Sequence, residues 1–405
     1  MRYMLKTSVL LALTVIGLFG CDQTDSNQND ATALRSIPSP AGSNSSLPHM
    51  AAHPEHGLLM SWVTGSDDGY DLLYSLYQND QWSDPTNIAS GDNWFVNWAD
   101  YPMVAPGNNG KMMAHFLAKS GEATYAYDVK FSTLSDEGWS SPRVVHNDET
   151  QTEHGFVSMI PLADGSFQVA WLDGRNTAGS HGEHHGAMTL RTAVVSVTGE
   201  ITEEFELDNR TCDCCQTGGV LSPTGPLFVY RDRSEMEIRD IYVVRKVDGT
   251  WQEPKVVYAD QWEIAGCPVN GPRVAASGNA LAVAWFAATN GNGQVKMAFS
   301  KDNGGTFNAP IVIDSSHPFG RVDVAMLSEE EAVVSWLTMQ DDRTVIKAAK
   351  VHINGAVDKP RLVTVTTEGR DSGFPQMELF EGKLFFAWTD VSGSEPTINT
   401  ATWEL

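Results

Sequence analysis

Along the chain, short runs of apolar and small residues end in a large aromatic, and these runs return at a near-constant spacing. They read Leu59-Met-Ser-Trp62, Met113-Ala-His-Phe116, Val169-Ala-Trp171, Leu227-Phe-Val-Tyr230, Ala282-Val-Ala-Trp285, Val334-Ser-Trp336 and Phe386-Ala-Trp388. Successive aromatics lie between 51 and 59 residues apart. About ten residues upstream of most of them sits a second apolar strand, as in Tyr101–Ala105, Phe156–Ile160, Arg321–Ala325 and Phe374–Met377. Turn residues link the two, for example Asp164-Gly165, Ser277-Gly-Asn279 and Glu381-Gly382. Downstream comes a third strand, then an aromatic-x-x-Pro element: Trp82 with Pro85, Trp139 with Pro142, Trp251 with Pro254, Phe307 with Pro310. Four short strands per repeat of about 50 residues, punctuated by turns, match a propeller blade better than a sandwich or a solenoid.

The ends support a closed ring. The seventh unit stops after its third strand, Thr397 to Trp403, while Leu34–Pro40 precedes the first complete unit and has the character of a missing fourth strand. Pairing the two would remove both exposed edges. The expected fold is therefore all-β, one seven-bladed β-propeller over residues 34–405 with an N-terminal strand closing the last blade. A six-bladed ring is the alternative. The tryptophans that repeat with the blade period are assigned to packing.

The first 33 residues are of another kind. Arg2 and Lys6 precede the apolar run Val9–Phe19, which is too short for a permanent membrane span and ends Leu18-Phe19-Gly20-Cys21. This resembles the lipobox of bacterial lipoproteins, which implies that residues 1–20 are a signal peptide and that Cys21 carries lipid. Residues 21–33 then read as a polar, flexible tether. The expectation is a membrane-anchored monomer of the cell envelope, on the periplasmic face of either membrane or at the cell surface. Removing residues 1–20, with Arg2 and Lys6 and no acid, takes the formal charge from −24 to −26. A surface so acidic excludes nucleic acid as a partner.

At Ser300-Lys-Asp302-Asn-Gly304-Gly-Thr306-Phe307 the chain resembles the Asp-box, or BNR repeat, of sialidase-like propellers, with an eroded copy at Ser132–Trp139. In that family the box is a peripheral turn, so Ser300, Asp302, Gly304, Thr306 and Phe307 are given a structural role. The resemblance implies a sialidase-like propeller and, if the protein is an enzyme, a glycoside hydrolase. Sialidases also carry an F/Y-R-I-P motif and are usually six-bladed. No Arg-Ile-Pro occurs here; Arg35-Ser-Ile37-Pro38 has another order.

Candidate chemistry gathers on one face of such a ring, where the loops leading into each blade and the loops after the second strands open. Cys212, Cys214, Cys215 and Cys267 fall at the starts of the fourth and fifth blades. In an oxidising compartment they read as disulfides, Cys215–Cys267 being the first pair to bridge because the two sit at equivalent positions. As thiolates they would suit Cu or Zn, with His154, His181, His184 or His185 completing the site. Arg175, Arg231 and Arg321 would form a clamp for an anionic glycan or else brace loops, and Asp100 and Asp173 could supply an acid or base. Three functions follow: an envelope-anchored propeller binding a metal or an anionic glycan, an exo-acting sialidase-like hydrolase, or a protein-interaction scaffold of the envelope.

Overall fold

The computed structural model describes residues 34–178 and 186–405. Cys21, His181, His184 and His185 lie outside the described residues. Seven antiparallel sheets make up the ring, six of them with their strands in sequence order from the inside outward. The ring therefore has seven blades, not six. The seventh sheet runs Gln376–Phe380, Lys383–Asp390, Thr397–Glu404 and then Leu34–Ile37, so the first strand of the chain is the last of the ring. Leu34 faces Trp403 and Ile37 faces Thr400 in an antiparallel register. Among the described residues, no helix is long and apolar enough to cross a membrane.

The burial pattern explains why these segments form strands. Second strands are covered on both faces by neighbouring blades, so they read as continuous apolar runs rather than alternating ones: every residue of Phe167–Asp173 is buried. Outer strands, such as Ile201–Asp208, expose most of their positions. Trp62, Trp171, Trp285, Trp336 and Trp388 are all buried between blades. Three of their indoles are satisfied by a carboxylate: Trp171 Nε1 donates to Asp173 (2.7 Å), Trp285 to Asp260 (2.6 Å) and Trp336 to Asp314 (2.7 Å). A buried indole N–H needs such a partner, so the repeat is polar as well as apolar.

Between the third and fourth strands of the fifth blade, Asp302 organises a tight turn. Its Oδ1 accepts from Ser300 Oγ (2.8 Å) and from the Thr306 amide (2.9 Å), and its Oδ2 from Thr306 Oγ1 (2.8 Å). Gly304 has φ +77°, and a Cβ there would meet Leu227 Cδ1 at 2.5 Å, so only glycine fits. Phe307 packs on the core between the fourth and fifth blades.

A second recurring device governs the upper face. The first strands of the first, third and sixth blades each carry a bulge, with Leu47, Phe156 and Arg321 at positive φ (57°, 53° and 49°). In each case a side chain from the lead-in or second strand of the preceding blade takes the bulged amide. Thr389 Oγ1 accepts from Leu47 (3.2 Å), Asp100 Oδ1 from Phe156 (2.7 Å) and Asn270 Oδ1 from Arg321 (2.8 Å). These bonds lock adjacent blades together and fix what lies above them.

Candidate functional site

The arginines read from sequence as either a ligand clamp or a brace for loops are occupied within the protein. Arg231 is buried, and its guanidinium donates to the carbonyls of Asn270 (2.8 and 3.0 Å), Arg239 (2.6 Å) and Phe286 (2.7 Å) while lying over Trp262. Burial lowers its pKa to about 9, against the pull of Asp260 and Asp240. Arg321 donates to the carbonyls of Glu368, Gly369 and Gly373 and to Ser372 Oγ (2.8 Å), and it stacks over Trp98. Arg175 makes a two-pronged pair with Asp173 (2.8 and 2.7 Å) and a second with Glu204 (3.1 Å). Long side chains on a bulged, loop-rich face are recruited to pay off loose carbonyls and carboxylates, so these three brace the ring and form no clamp.

The four described cysteines are paired as disulfides, though not with the pairing put first from sequence. Cys212 bridges Cys215, and Cys214 bridges Cys267. A turn over Cys212–Cys215 brings its ends to a Cα separation of 5.8 Å and turns both end residues into the core, where they are 0% and 1% exposed. Only Cys214, half-buried, is left facing the fifth blade. No sulfur remains as a thiolate, so a soft-metal site built on this cluster has no donors, and His154 does not join it.

The channel mouth is crossed by a side chain. Gln216 spans it: the side-chain amide donates to Ala99 O (2.7 Å) and accepts from the Gly271 amide (3.0 Å), tying together the lead-ins of the second, fourth and fifth blades. Gln216, Tyr101 and Phe374 are buried there. A channel of about 500 Å³ remains below, lined by first strands of all seven blades and extending to His53, Pro106 and Pro161 at their far ends. Arg273 sits inside it beside Tyr101 Oη and 3.9 Å from Asp323.

On the upper face the open spaces lie off the axis, one beside Trp98 and the 391–396 loop and one over the second to fourth blades. The latter, a cleft of about 400 Å³, is walled by Tyr125, Gln151, Glu153, Asp213 and Arg233, with Thr177 and Gly186 at one side. The loop after the second strand of blade two supplies Tyr125, whose ring is 59% exposed. The cysteine turn supplies Asp213, whose two carboxylate oxygens accept from Arg233 Nη1 at 3.0–3.1 Å. Glu153 comes from the lead-in to blade three, and Tyr127 Oη donates to it at 2.8 Å. Burial pushes the Glu153 carboxyl up to about 7; the Tyr127 bond pulls it down and the Asp213 charge pushes it further up. The same Tyr127 hydroxyl is 3.3 Å from Asp100 Oδ2. Asp100 is fully covered, and burial raises its pKa to about 8 against the Phe156 amide bond. It sits below the cleft as a blade fastener. Gly155 passes directly over its carboxyl, where a Cβ would collide with Oδ2.

Beneath the cleft the lead-in to blade three buries a His–Asp cluster. His154 Nε2 is 3.3 Å from Asp148 Oδ2 and 3.7 Å from Asp173 Oδ1. His146 stacks on His154 with ring centroids 3.7 Å apart and bonds Asp148 through Nδ1 at 2.6 Å. Of these residues only His154 and Asp173 were singled out from sequence. Glu153 and Arg233 also stand out in the sequence, Glu153 as a possible acid or base in the lead-in to blade three and Arg233 in the loop after the second strand of blade four; Asp213, His146 and Asp148 have no spacing signature.

No family model matches the chain, and no curated protein matches it. Solved structures do. The polysaccharide lyase Uly1 superposes with a TM-score of 0.53 at 10% identity, over 91% of each chain. The Hadza microbial sialidase Hz136 gives 0.49 at 14% identity, over 86% of this chain and 77% of its own. NanB sialidase from Streptococcus pneumoniae gives 0.46 at 11%, over 91% and 70%. At such identities the likeness is one of fold alone, a β-propeller, which is a scaffold that hosts many chemistries.

Proposed function

We propose that this protein is an envelope-anchored saccharide-binding propeller, held by lipid on Cys21, whose ligand lies in the off-axis cleft. The observation that carries the reading is the cleft's composition. An exposed tyrosine ring offers a face for a sugar ring, while the Gln151 amide, the Asp213–Arg233 pair and a Glu153 carboxyl with a pKa near 7 offer hydroxyl partners of both signs. With Arg175, Arg231 and Arg321 engaged internally, a neutral or amino sugar fits this acidic wall better than an anionic one.

The test is calorimetry with the full-length chain in detergent against neutral, amino and acidic oligosaccharides. Binding that falls at least about tenfold in Tyr125→Ala and Asp213→Asn, with the melting temperature unchanged, supports the reading. Silence across the panel overturns it. For the anchor, Cys21→Ser should move the protein from the detergent phase to the soluble fraction; an unchanged partition removes the lipid from the proposal.

A hydrolytic second reading is favoured by one feature: Glu153 titrates near neutral beside an ion-paired Asp213, which is the division of labour an acid and a charged partner require. Under it, Glu153→Gln would retain binding and abolish release of reducing ends.

A further inference from the structure

The buried His–Asp cluster under the cleft has the donor set and orientation of a metal centre. His154 is 0% exposed, and its Nδ1 faces the carbonyls of Tyr127 (3.3 Å) and Thr152 (3.2 Å). A ring nitrogen facing two acceptors carries the hydrogen, which leaves the Nε2 lone pair pointing into the cluster. That Nε2 has no hydrogen-bond partner. It looks toward two carboxylates, Asp148 and Asp173, with the three donor atoms within 4.8 Å of one another. A tetrahedral ion with bonds of about 2.0–2.1 Å holds its donors roughly 3.3 Å apart. The 3.3 and 3.7 Å separations here are of that size.

The surroundings are those that orient ligands. His146 Nδ1 and Thr150 fix Asp148; Trp171 Nε1 and Arg175 fix Asp173. His146 itself is not a fourth donor. Its ring lies parallel to His154 at 8°, so its nitrogens are in a plane displaced from any ion in the plane of the His154 ring. Its place is the outer shell, where a donor to the ligating carboxylate sets that group's direction.

We propose that His154 Nε2, Asp148 Oδ2 and Asp173 Oδ1 form a mononuclear site for a divalent transition cation of the Zn²⁺ kind, with a fourth position open to water. Mixed nitrogen and oxygen donors suit such an ion, and two carboxylates balance its charge. The ion ties the 146–154 segment, which carries Gln151 and Glu153 into the cleft, to the end of the second strand of blade three. The site stands whether or not the cleft binds saccharide.

The experiment strips the full-length chain with EDTA, reloads it with Zn²⁺ and measures metal by mass spectrometry and calorimetry. Stoichiometric zinc is expected in the wild type and in a His181/His184/His185→Ala variant, and none in His154→Gln or Asp148→Asn. His146→Ala should weaken binding about 10–100-fold. The Co²⁺-loaded wild type should show ligand-field bands with no thiolate charge-transfer band, which decides the matter should the ligand variants not fold. Substoichiometric zinc in the wild type overturns the proposal, leaving an ion-paired histidine. So does zinc retained by both ligand variants, zinc lost with the loop histidines, or a thiolate band.

Discussion

Replacing Asp100 by Asn should flatten the dependence of stability on pH while leaving the fold intact. Asp100 Oδ1 accepts the Phe156 amide as Asn270 Oδ1 accepts that of Arg321, so the protein already uses asparagine for this task three blades on. The carboxyl is kept neutral by burial, with a pKa of about 8 in the folded chain against about 3.9 in an unfolded one. The folded state thus holds the proton more tightly, so the stability it contributes is complete below about pH 4 and is lost as pH rises through about 8. Four units at 1.36 kcal/mol each make the loss about 5 kcal/mol. At about 2.1 cal/mol/K of unfolding entropy per residue, that is a fall in melting temperature of about 6 °C. Glu153, raised to about 7, titrates in the same direction, so wild-type stability should decline from pH 5 to pH 9. Urea and thermal unfolding at pH 5, 7 and 9, followed by tryptophan fluorescence, read the effect. Asp100→Asn should match the wild type within about 1 kcal/mol at pH 5 and exceed it by several at pH 9. Equal slopes for the two proteins, or an asparagine variant already badly destabilised at pH 5, would refute the assignment of a neutral carboxyl.

Two further outcomes test the reassigned residues. Arg231→Met leaves the Asn270, Arg239 and Phe286 carbonyls without their donor and should cost about 3–5 kcal/mol in urea unfolding; a loss below about 1 kcal/mol would show that the guanidinium is no brace. In a non-reducing tryptic digest, Cys214→Ser should separate peptide 211–231 from peptide 256–273 while the former keeps an internal disulfide. If the two peptides stay linked, the bridge runs from Cys215 after all.

The ring was legible in the sequence because its signal is periodic and physical. Second strands sandwiched between blades must be apolar along their whole length, and the aromatic closing each one repeats with the blade. The closing strand was legible by subtraction: a seventh unit without an outer strand and a spare strand at Leu34–Ile37 have one economical solution, and their register confirms it. The cysteine pairing was not legible. Equivalent blade positions put Cys215 opposite Cys267, but the turn across Cys212–Cys215 rotates Cys215 inward and leaves Cys214 to cross the gap. Side-chain direction within a four-residue turn has no counterpart in spacing.

The sequence left the arginines open between clamp and brace for a reason that is general to this architecture. An arginine on the upper face looks the same in sequence whether it faces a ligand or a carbonyl eight to fifty-five residues away. What decides is how many backbone groups the local geometry leaves unpaired, and bulges at Leu47, Phe156 and Arg321 leave several. Arg321 satisfies the turn carbonyls at 368–373, and Arg231 satisfies those left by the 270 lead-in. Gln216 then closes the axis by bonding across it. Once the middle of the upper face is stitched in this way, an open site there can form only where the stitching stops. One such place is over the second to fourth blades, where Glu153 and Asp213 reach open space and the aspartates beneath them surround the unpartnered Nε2 of His154.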